Sequence, residues 1–402
     1  MGPAFNRMWA GSMVSNLSDG VLLAAAPLLA ISLTSNTILI SAVGAMVMLP
    51  WLLFAIPIGA LVDRVDRRFI LASANTTRSI VVGLLALLVA TNRVSIYHLI
   101  LAAFIIGTCE VASDTTSQSL IPQLLQQDEL EKGNSRLSVS EVVFQGFIGA
   151  PISGFLYAIS MAIPFFFNSV GFLIAAFFAL SIPIQYLQVA RHEIKHDKAS
   201  FIEDMKFGVN FLINDKILRR LVLTTSSIGV CYSLATSTMV LFLIKELNLP
   251  KTLFGVMLTI QGVGAILGSI SAPRASTKFG RTRVMTYGIV SSSLLILMQG
   301  FSPNYPIAVA LLTLGSFAIS HWNILLMSTY QSIIPSEIYG RIHGTRRTLV
   351  WGLMPLGSLL GGTLAHLGLR VPMYVGGVVA SIISLISINF LMQIGKVTEV
   401  TQ

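Results

Sequence analysis

The chain alternates long apolar runs with short polar turns from one end to the other. An α-helix needs about 20 apolar residues to cross a bilayer, and the runs reach that length. They are too long and too evenly apolar to be the strands of a membrane barrel. The pattern therefore predicts an all-α membrane protein with twelve spanning helices, near residues 8–32, 38–62, 70–91, 95–119, 137–160, 163–187, 215–243, 252–273, 284–301, 305–329, 345–367 and 371–394.

The longest hydrophilic stretch lies at about residues 188–214 and separates six predicted spans from six. We therefore predict two pseudo-symmetric six-helix bundles, at 1–187 and 215–402, joined by a cytoplasmic linker. Apolar residues recur at helical spacing in the linker, namely Phe201, Met205, Val209 and Leu212. This spacing favours a helix lying on the membrane surface, and the alternative is a solvated linker with no regular structure.

Composition and charge agree with a membrane protein. Of 402 residues, 54% are hydrophobic and 11% are charged, whereas about a quarter are charged in soluble domains. Of the 26 Lys and Arg residues, almost all fall on one side of the predicted membrane. Arg78 is assigned to that side as well. The exceptions are Arg93, Lys245, Lys251 and Arg370. The positive-inside rule then places both termini in the cytoplasm and accounts for the net charge of +9 without nucleic acid. We expect the membrane to be the inner membrane of a bacterium.

The sequence carries no motif for a metal or nucleotide cofactor. Cys109 and Cys231 each lie inside an apolar run, so they predict neither a disulfide framework nor a metal site. A phosphate-binding loop is also missing, which argues against ATP-driven chemistry. We therefore expect no cofactor, with a proton gradient as the energy source.

Landmarks repeat between the two halves in the same order. Ile121 and Pro122 precede GFIGAPISGFL at 146–156, and Ile334 and Pro335 precede GLMPLGSLLGGTL at 352–364. Basic loops also recur between the second and third spans of each half, at 63–68 and 274–283. Such duplication is typical of transporters that bind substrate near the membrane midplane, between their halves.

The turn GALVDRVDRR at 59–68 resembles the signature that members of the major facilitator superfamily carry between spans 2 and 3. The matching residues are Gly59, Leu61, Asp63, Arg64, Arg67 and Arg68. Asp66 replaces a glycine of the general pattern, as is common in the macrolide-exporter branch. The resemblance implies the major facilitator fold over nearly the whole chain.

The span-5 segment GFIGAPISGFL resembles the antiporter signature of the same superfamily. Gly146, Pro151 and Gly154 match that signature, whereas Ala150 and Phe155 depart from it. The segments at 16–36 and 121–135 look like the macrolide and siderophore exporters. The resemblance therefore implies a drug:proton antiporter.

The resemblance also implies a contact between halves, which we call the latch. In the superfamily, the aspartate matching Asp63 lies against the start of span 11, here HGTRRT at 343–348. A helix N-terminus attracts a carboxylate, so we expect Asp63 to cap that end or to pair with Arg346 or Arg347. We expect Asp66 to pair with a neighbouring arginine. The alternative is a solvated turn whose charges only fix orientation.

Acidic residues inside predicted spans are candidates for proton coupling, because a charge at the bilayer centre is costly. They are Asp19 in span 1, Glu110 and Asp114 in span 4, and Glu141 in span 5. A carboxyl group removed from water binds a proton more readily than an exposed one. The alternative is that some are structural acids paired with Arg78 or Arg136.

Other polar residues in the spans are candidates for substrate binding by hydrogen bonding and stacking. They are Asn16, Gln118, Gln145, Tyr232, Gln261, His321, Trp322 and Asn323. A lone membrane histidine is more often a packing residue. The glycine pairs Gly264/Gly268 and Gly357/Gly361 predict close helix packing.

Together these features predict a secondary transporter, a proton-coupled antiporter that exports an amphipathic small molecule of drug, macrolide or siderophore type. The expected partners are the substrate, protons and the lipid bilayer, and the expected state is a monomer. The alternative is an uptake permease or lipid transporter of the same fold. A polytopic membrane enzyme is less favoured, because no polar catalytic cluster is evident at a membrane face.

Overall fold

The computed structural model describes residues 2–62, 65–126, 129, 133, 136–137, 139–183, 210–334 and 339–399. These residues form helices and no strand, which confirms the all-α prediction. In the first half the helices are α1 (Pro3–Leu33), α2 (Thr37–Val62), α3 (Arg67–Ala90), α4 (Ile96–Leu124), α5 and α6 (Ile163–Leu180). In helix α5, residues 139–140 are α-helical, Glu141–Gly149 form a π-helix, and Ala150–Ile159 form an α-helix.

The second half contains six further helical regions. They are α7 (Lys216–Thr236, then Met239–Leu241 and the π-helical turn Phe242–Glu246), α8 (Lys251–Phe279), α9 (Arg281–Gly300), α10 (Tyr305–Ile333), α11 (Tyr339–Gly352 and Met354–Leu364) and α12 (Val371–Ile386 and Ile388–Glu399). Most of the predicted surface helix lies outside the described residues. Residues 210–214 are helical, and Leu212 is buried there.

Among the described residues, nine helices are long and apolar enough to cross a membrane. A tenth is obtained if the bent pair Val371–Ile386 and Ile388–Ile394 is counted as one span. Val143–Ile159 is apolar but shorter, and α9 carries two arginines in its first turn. The predicted number of twelve spans therefore stays a prediction.

The chain divides into two compact units. Unit 1 consists of Met1–Ser35, Met46–Phe201 and Pro250–Thr259, and unit 2 consists of Asn36–Ala45, Ile202–Leu249 and Ile260–Gln402. The predicted boundaries at 187 and 215 stay a prediction, because residues 184–209 lie outside the described part of the chain.

Unit 1 is held together by apolar packing and by paired hydroxyl groups. Phe5, Leu120 and Ile182 belong to a buried cluster that joins the ends of several helices. Helices α3 and α6 exchange two hydrogen bonds: Ser79 Oγ donates to the Ser169 carbonyl at 2.7 Å, and Ser169 Oγ donates to the Ser79 carbonyl at 2.8 Å. Such reciprocal bonds satisfy hydroxyl groups that lipid cannot solvate.

Unit 2 surrounds a buried cluster that includes Trp322 and Tyr330. A Cβ atom added at Gly264 or Gly268 would overlap a backbone carbonyl of α10. One added at Gly357 or at its partner Gly361 would overlap a carbonyl of α7. These contacts confirm that both predicted glycine pairs serve close helix packing.

Candidate functional site

An ion pair lies at the middle of the membrane-spanning part of unit 1. Arg78 Nη1 is 3.5 Å from Asp19 Oδ2, and the arginine side chain is only 2% exposed. Asp19 lies close to the midpoint of α1, and Arg78 lies at the midpoint of α3. The prediction that Arg78 lies on the inner side of the membrane is wrong, because the residue is buried within a span. The alternative prediction, that a spanning acid pairs with Arg78, is confirmed for Asp19.

The contacts of Arg78 are long for charge-assisted bonds, which are usually about 2.7–2.9 Å. Its Nη1 is also 3.5 Å from Ser15 Oγ, and its guanidinium carbon lies 5.2 Å from the centre of the Phe172 ring. Within the described part of the chain, Arg78 Nε has no hydrogen-bond partner. Arg78 is therefore buried, but its contact with the Asp19 carboxylate is a weak one.

A polar chain extends from this pair along α3. Ser15 Oγ donates to Asn75 Oδ1 at 3.5 Å, and Asn75 Nδ2 donates to the Leu71 carbonyl at 3.0 Å. Asn75 was missed by sequence reasoning, although it lies three residues before Arg78 and so shares its helix face. Asn16, a predicted substrate residue, turns to its own helix and donates to Ser12 Oγ at 3.4 Å.

The predicted acids come together around this pair. Glu110 is half-buried at the midpoint of α4 and interacts electrostatically with Asp19, Arg78, Asp114 and Glu141. Three helices thus bring two carboxylates and one guanidinium to the same depth. Arg78 therefore pairs with Asp19 and lies within electrostatic range of a second carboxylate, that of Glu110.

The flanking polar residues are more exposed. Gln118 is exposed, and its Nε2 donates to Asp114 Oδ2 at 3.1 Å, one turn away on α4. Glu141 is exposed at the start of the π-helical segment, and Gln145 is half-buried in it. A π-helix inside a longer helix is frequently found at functional sites.

The antiporter-like signature of α5 forms close backbone contacts within unit 1. A Cβ atom added at Gly154 would lie 2.9 Å from the Thr252 carbonyl oxygen. The Gly146 carbonyl accepts from Thr259 Oγ1 at 3.5 Å, and a Cβ atom at Gly146 would contact nothing. Pro151 lies in the first turn of the α-helical part of α5. The signature therefore positions α5 against residues 250–259 rather than supplying a binding group.

The loop signature is partly visible. Asp66 caps α3, because its Oδ1 accepts from the Arg68 amide at 3.0 Å, and its Oδ2 pairs with Arg68 Nη2 at 2.7 Å. The predicted pairing of Asp66 with a neighbouring arginine is therefore confirmed. Arg68 also donates to the Ile182 carbonyl at 3.1 Å, and Arg67 Nε donates to Ser119 Oγ at 2.9 Å. These arginines tie the start of α3 to the ends of α4 and α6.

The latch itself stays a prediction. Asp63 and Arg64 lie outside the described residues, and so does the side chain of Arg347. Gly59 is in the last turn of α2. The guanidinium carbon of Arg346 lies 4.5 Å from the centre of the Tyr330 ring, a cation–π contact within unit 2.

The candidates in unit 2 are not gathered into one cluster. Tyr232 of α7 and Gln261 of α8 lie near each other, so these two predicted residues do meet. Both nitrogens of His321 are engaged: Nε2 is 3.1 Å from Ser271 Oγ, and Nδ1 is 2.9 Å from the Phe317 carbonyl oxygen. Trp322 is 1% exposed in the core, and Asn323 is exposed. The placement of His321 and Trp322 is typical of packing residues.

A charged cluster enclosed by apolar spanning helices marks a candidate functional site of a membrane protein. The comparisons with known proteins agree. The model of the transmembrane secretion effector (MFS_3) family matches residues 2–401, and the chain belongs to this family of major facilitator transporters. It is a multi-pass membrane protein with the fold of a transporter rather than an enzyme.

Individual relatives are distant. The chain is 19% identical to macrolide efflux protein A of Streptococcus pyogenes over 90% of its length and 89% of that protein. It is 25% identical to multidrug resistance protein 1 of Bacillus subtilis over 61% of each chain. Among solved structures, a mutant of the nucleoside transporter NupG is similar with a TM-score of 0.77 at 13% identity, covering 97% of this chain and 99% of that chain. This last likeness shows the fold alone.

Proposed function

We propose that this transporter is a proton-coupled antiporter that exports an amphipathic small molecule of the drug, macrolide or siderophore type. The observation that carries the proposal is the juxtaposition of Asp19, Arg78 and Glu110 at mid-membrane. The names of the efflux relatives and the α5 signature support export. Its partners are the substrate, protons and lipid, it acts as a monomer, and it needs no cofactor.

In this proposal, proton binding is coupled to transport because Arg78 changes its carboxylate partner. Arg78 neutralises whichever of Asp19 and Glu110 is ionised, so one proton shared by the two acids leaves the cluster electrically balanced. When the site opens to one side, water reaches the acids and a proton is released or bound. The substrate moves in the opposite half of the cycle, by alternating access.

We also propose the orientation and the latch that export requires. The basic turns support cytoplasmic termini in a bacterial inner membrane. Asp63 would hold the inward-closed state through the start of α11. Asp63→Asn should lower turnover while leaving insertion intact, and normal turnover of that variant would contradict the latch.

The test of proton coupling measures two activities separately: substrate accumulation driven by a proton gradient, and exchange of substrate for substrate across the membrane. Inside-out vesicles carrying the wild-type protein, Asp19→Asn or Glu110→Gln are given a panel of macrolides and dyes, with and without an imposed proton gradient. We expect both variants to lose gradient-driven accumulation but to keep substrate counterflow, since counterflow needs no net proton movement.

Asp215→Asn is the matched control. Asp215 caps α7 through the Ile217 and Leu218 amides, both at 2.8 Å, and asparagine caps a helix about as well. It should keep both activities. Full gradient-driven accumulation by Asp19→Asn and Glu110→Gln would show that these acids do not carry the proton.

A further inference from the structure

A groove opens in unit 2 between α8, α9 and α10, and its lining contains none of the residues of the charged cluster. Its volume is about 590 Å³, within the usual range for small-molecule sites. It is lined at helical spacing by α9 residues, notably Arg283, Tyr287 and Ser291. Phe279 of α8 and Phe317 of α10 form its sides.

The groove faces outward from the helices that form it. Phe279 is 56% exposed, Tyr287 is 66% exposed, and Phe317 is 37% exposed. In the predicted twelve-span arrangement α9 crosses the bilayer, and we infer that these exposed side chains face lipid. The groove is therefore accessible from within the bilayer.

The length of the groove matches one leaflet. Eight residues separate Arg283 from Ser291, and at 1.5 Å per residue they span about 12 Å of helix. Half of the hydrocarbon core is about 15 Å thick. In the orientation proposed above, the Arg283 end lies at the cytoplasmic interface and the Ser291 end lies near the midplane.

The two ends of the groove differ in chemistry. At the deep end the polar atoms are already engaged: Ser291 Oγ donates to the Tyr287 carbonyl at 2.5 Å, and His321 is hydrogen-bonded on both ring nitrogens. This end therefore presents apolar surface to an occupant. The mouth carries the exposed guanidinium of Arg283.

The mouth has a positive charge that the described protein does not balance. The segment 274–283 contains Arg274, Lys278, Arg281 and Arg283 and no acidic residue. Within the part of the chain that the structure describes, neither Arg281 nor Arg283 has a carboxylate partner. Both lie in the first turn of α9, where the helix dipole is itself positive. An anion at this mouth would relieve the repulsion.

We propose that the groove binds an anionic phospholipid of the cytoplasmic leaflet, with an acyl chain along α9 and the phosphate at Arg283, the cation of the lining, while Arg281 adds positive charge nearby. An apolar slot of leaflet length with a cationic mouth is complementary to such a lipid. The proposal rests on the orientation proposed above and is independent of the proton-coupling mechanism.

The test uses the purified full chain in a mild detergent. Phosphatidylglycerol and phosphatidylcholine with identical acyl chains are added separately, and retained lipid is counted by native mass spectrometry. We expect preferential retention of phosphatidylglycerol, with Arg283→Gln reducing it about fivefold, the effect of one cation near a membrane surface. Arg281→Gln should act in the same direction and serves as the second variant if Arg283→Gln does not fold.

Two matched controls locate the site. Arg274→Gln removes a charge from the same basic segment but outside the groove, and it should change retention less than Arg283→Gln. Ser291→Phe fills the deep end and should reduce retention of both lipids, whereas Leu294→Phe places the same aromatic ring at an exposed position on α9 outside the lining and should not.

Several outcomes would overturn the proposal. The proposal is wrong if the two lipids are retained equally. It is also wrong if Arg283→Gln and Arg274→Gln have equal effects, or if Ser291→Phe and Leu294→Phe have equal effects. Inorganic phosphate that displaced phosphatidylglycerol would show a simple anion site instead. Asp19→Asn should leave lipid retention unchanged, so failure of the lipid site and failure of proton coupling are distinguishable.

Discussion

Removing the two carboxylates nearest Arg78, singly and together, tests whether they share that arginine. At 3.5 Å from Asp19 and with an effective dielectric constant of about 20, the attraction is about 5 kcal/mol. Asp19→Asn removes this attraction but leaves Glu110 in electrostatic range of Arg78. The remaining acid can take over, so each single change should lower the free energy of unfolding by only about 1–2 kcal/mol.

The double variant Asp19→Asn/Glu110→Gln leaves Arg78 buried without either acid. Breaking a buried pair in this way costs about 3–5 kcal/mol. The loss should therefore exceed the sum of the single losses by about 1 kcal/mol or more, which is a measurable coupling energy.

The assay is denaturant-induced unfolding in mixed micelles, followed by tryptophan fluorescence, with Asp215→Asn as the control outside the cluster. Additive losses, or a double variant no less stable than Asp19→Asn, would refute the reasoning. Either result would mean that Glu110 does not act as an alternative partner of Arg78.

Three further predictions concern packing and local structure and are checked by unfolding in the same micelles. Gly264→Ala should destabilise by about 1–3 kcal/mol, since the new Cβ overlaps an α10 carbonyl, whereas Gly262→Ala meets nothing within 4 Å and should be tolerated. Arg370→Gln should cost about 1–3 kcal/mol, because Arg370 pairs with Glu246 at 2.5 Å and donates to two carbonyls at 2.7 and 2.9 Å. Asp66→Ala should cost about 0.5–2 kcal/mol through loss of the α3 cap, and Asp66→Asn should restore most of it.

The sequence was most informative where a feature depends on neighbours along the same helix. Hydropathy predicted an all-helical membrane protein, and glycine spacing at Gly264 and Gly268 predicted close packing. Each signal is periodic, so it is visible without knowing which helices touch. The spacing of Glu110 and Asp114 likewise placed them on one face of α4.

Features that depend on contacts between helices were not predictable in the same way. Arg78 was predicted as an inner-side cation and only alternatively as a partner of the spanning acids, because nothing along the chain shows that α3 brings it to Asp19. The π-helical segment Glu141–Gly149 of α5 was also missed. Two π-helical turns hold only slightly more residues than two α-helical turns, so they barely change the spacing of apolar residues. Neither did the sequence reveal that Ser271 binds His321 from the neighbouring helix.

The charged cluster is better explained by function than by stability. Burying a guanidinium and two carboxylates costs more than their attraction returns unless every hydrogen bond is satisfied, and Arg78 makes only long contacts. Apolar residues of similar volume would hold α1, α3 and α4 together at least as well. Unit 2 shows this, since its helices pack through glycine contacts and apolar side chains around Trp322. An ionisable group kept at the costliest depth of the bilayer is a functional candidate, and the loosely held Arg78 can serve the partner exchange proposed above for proton coupling.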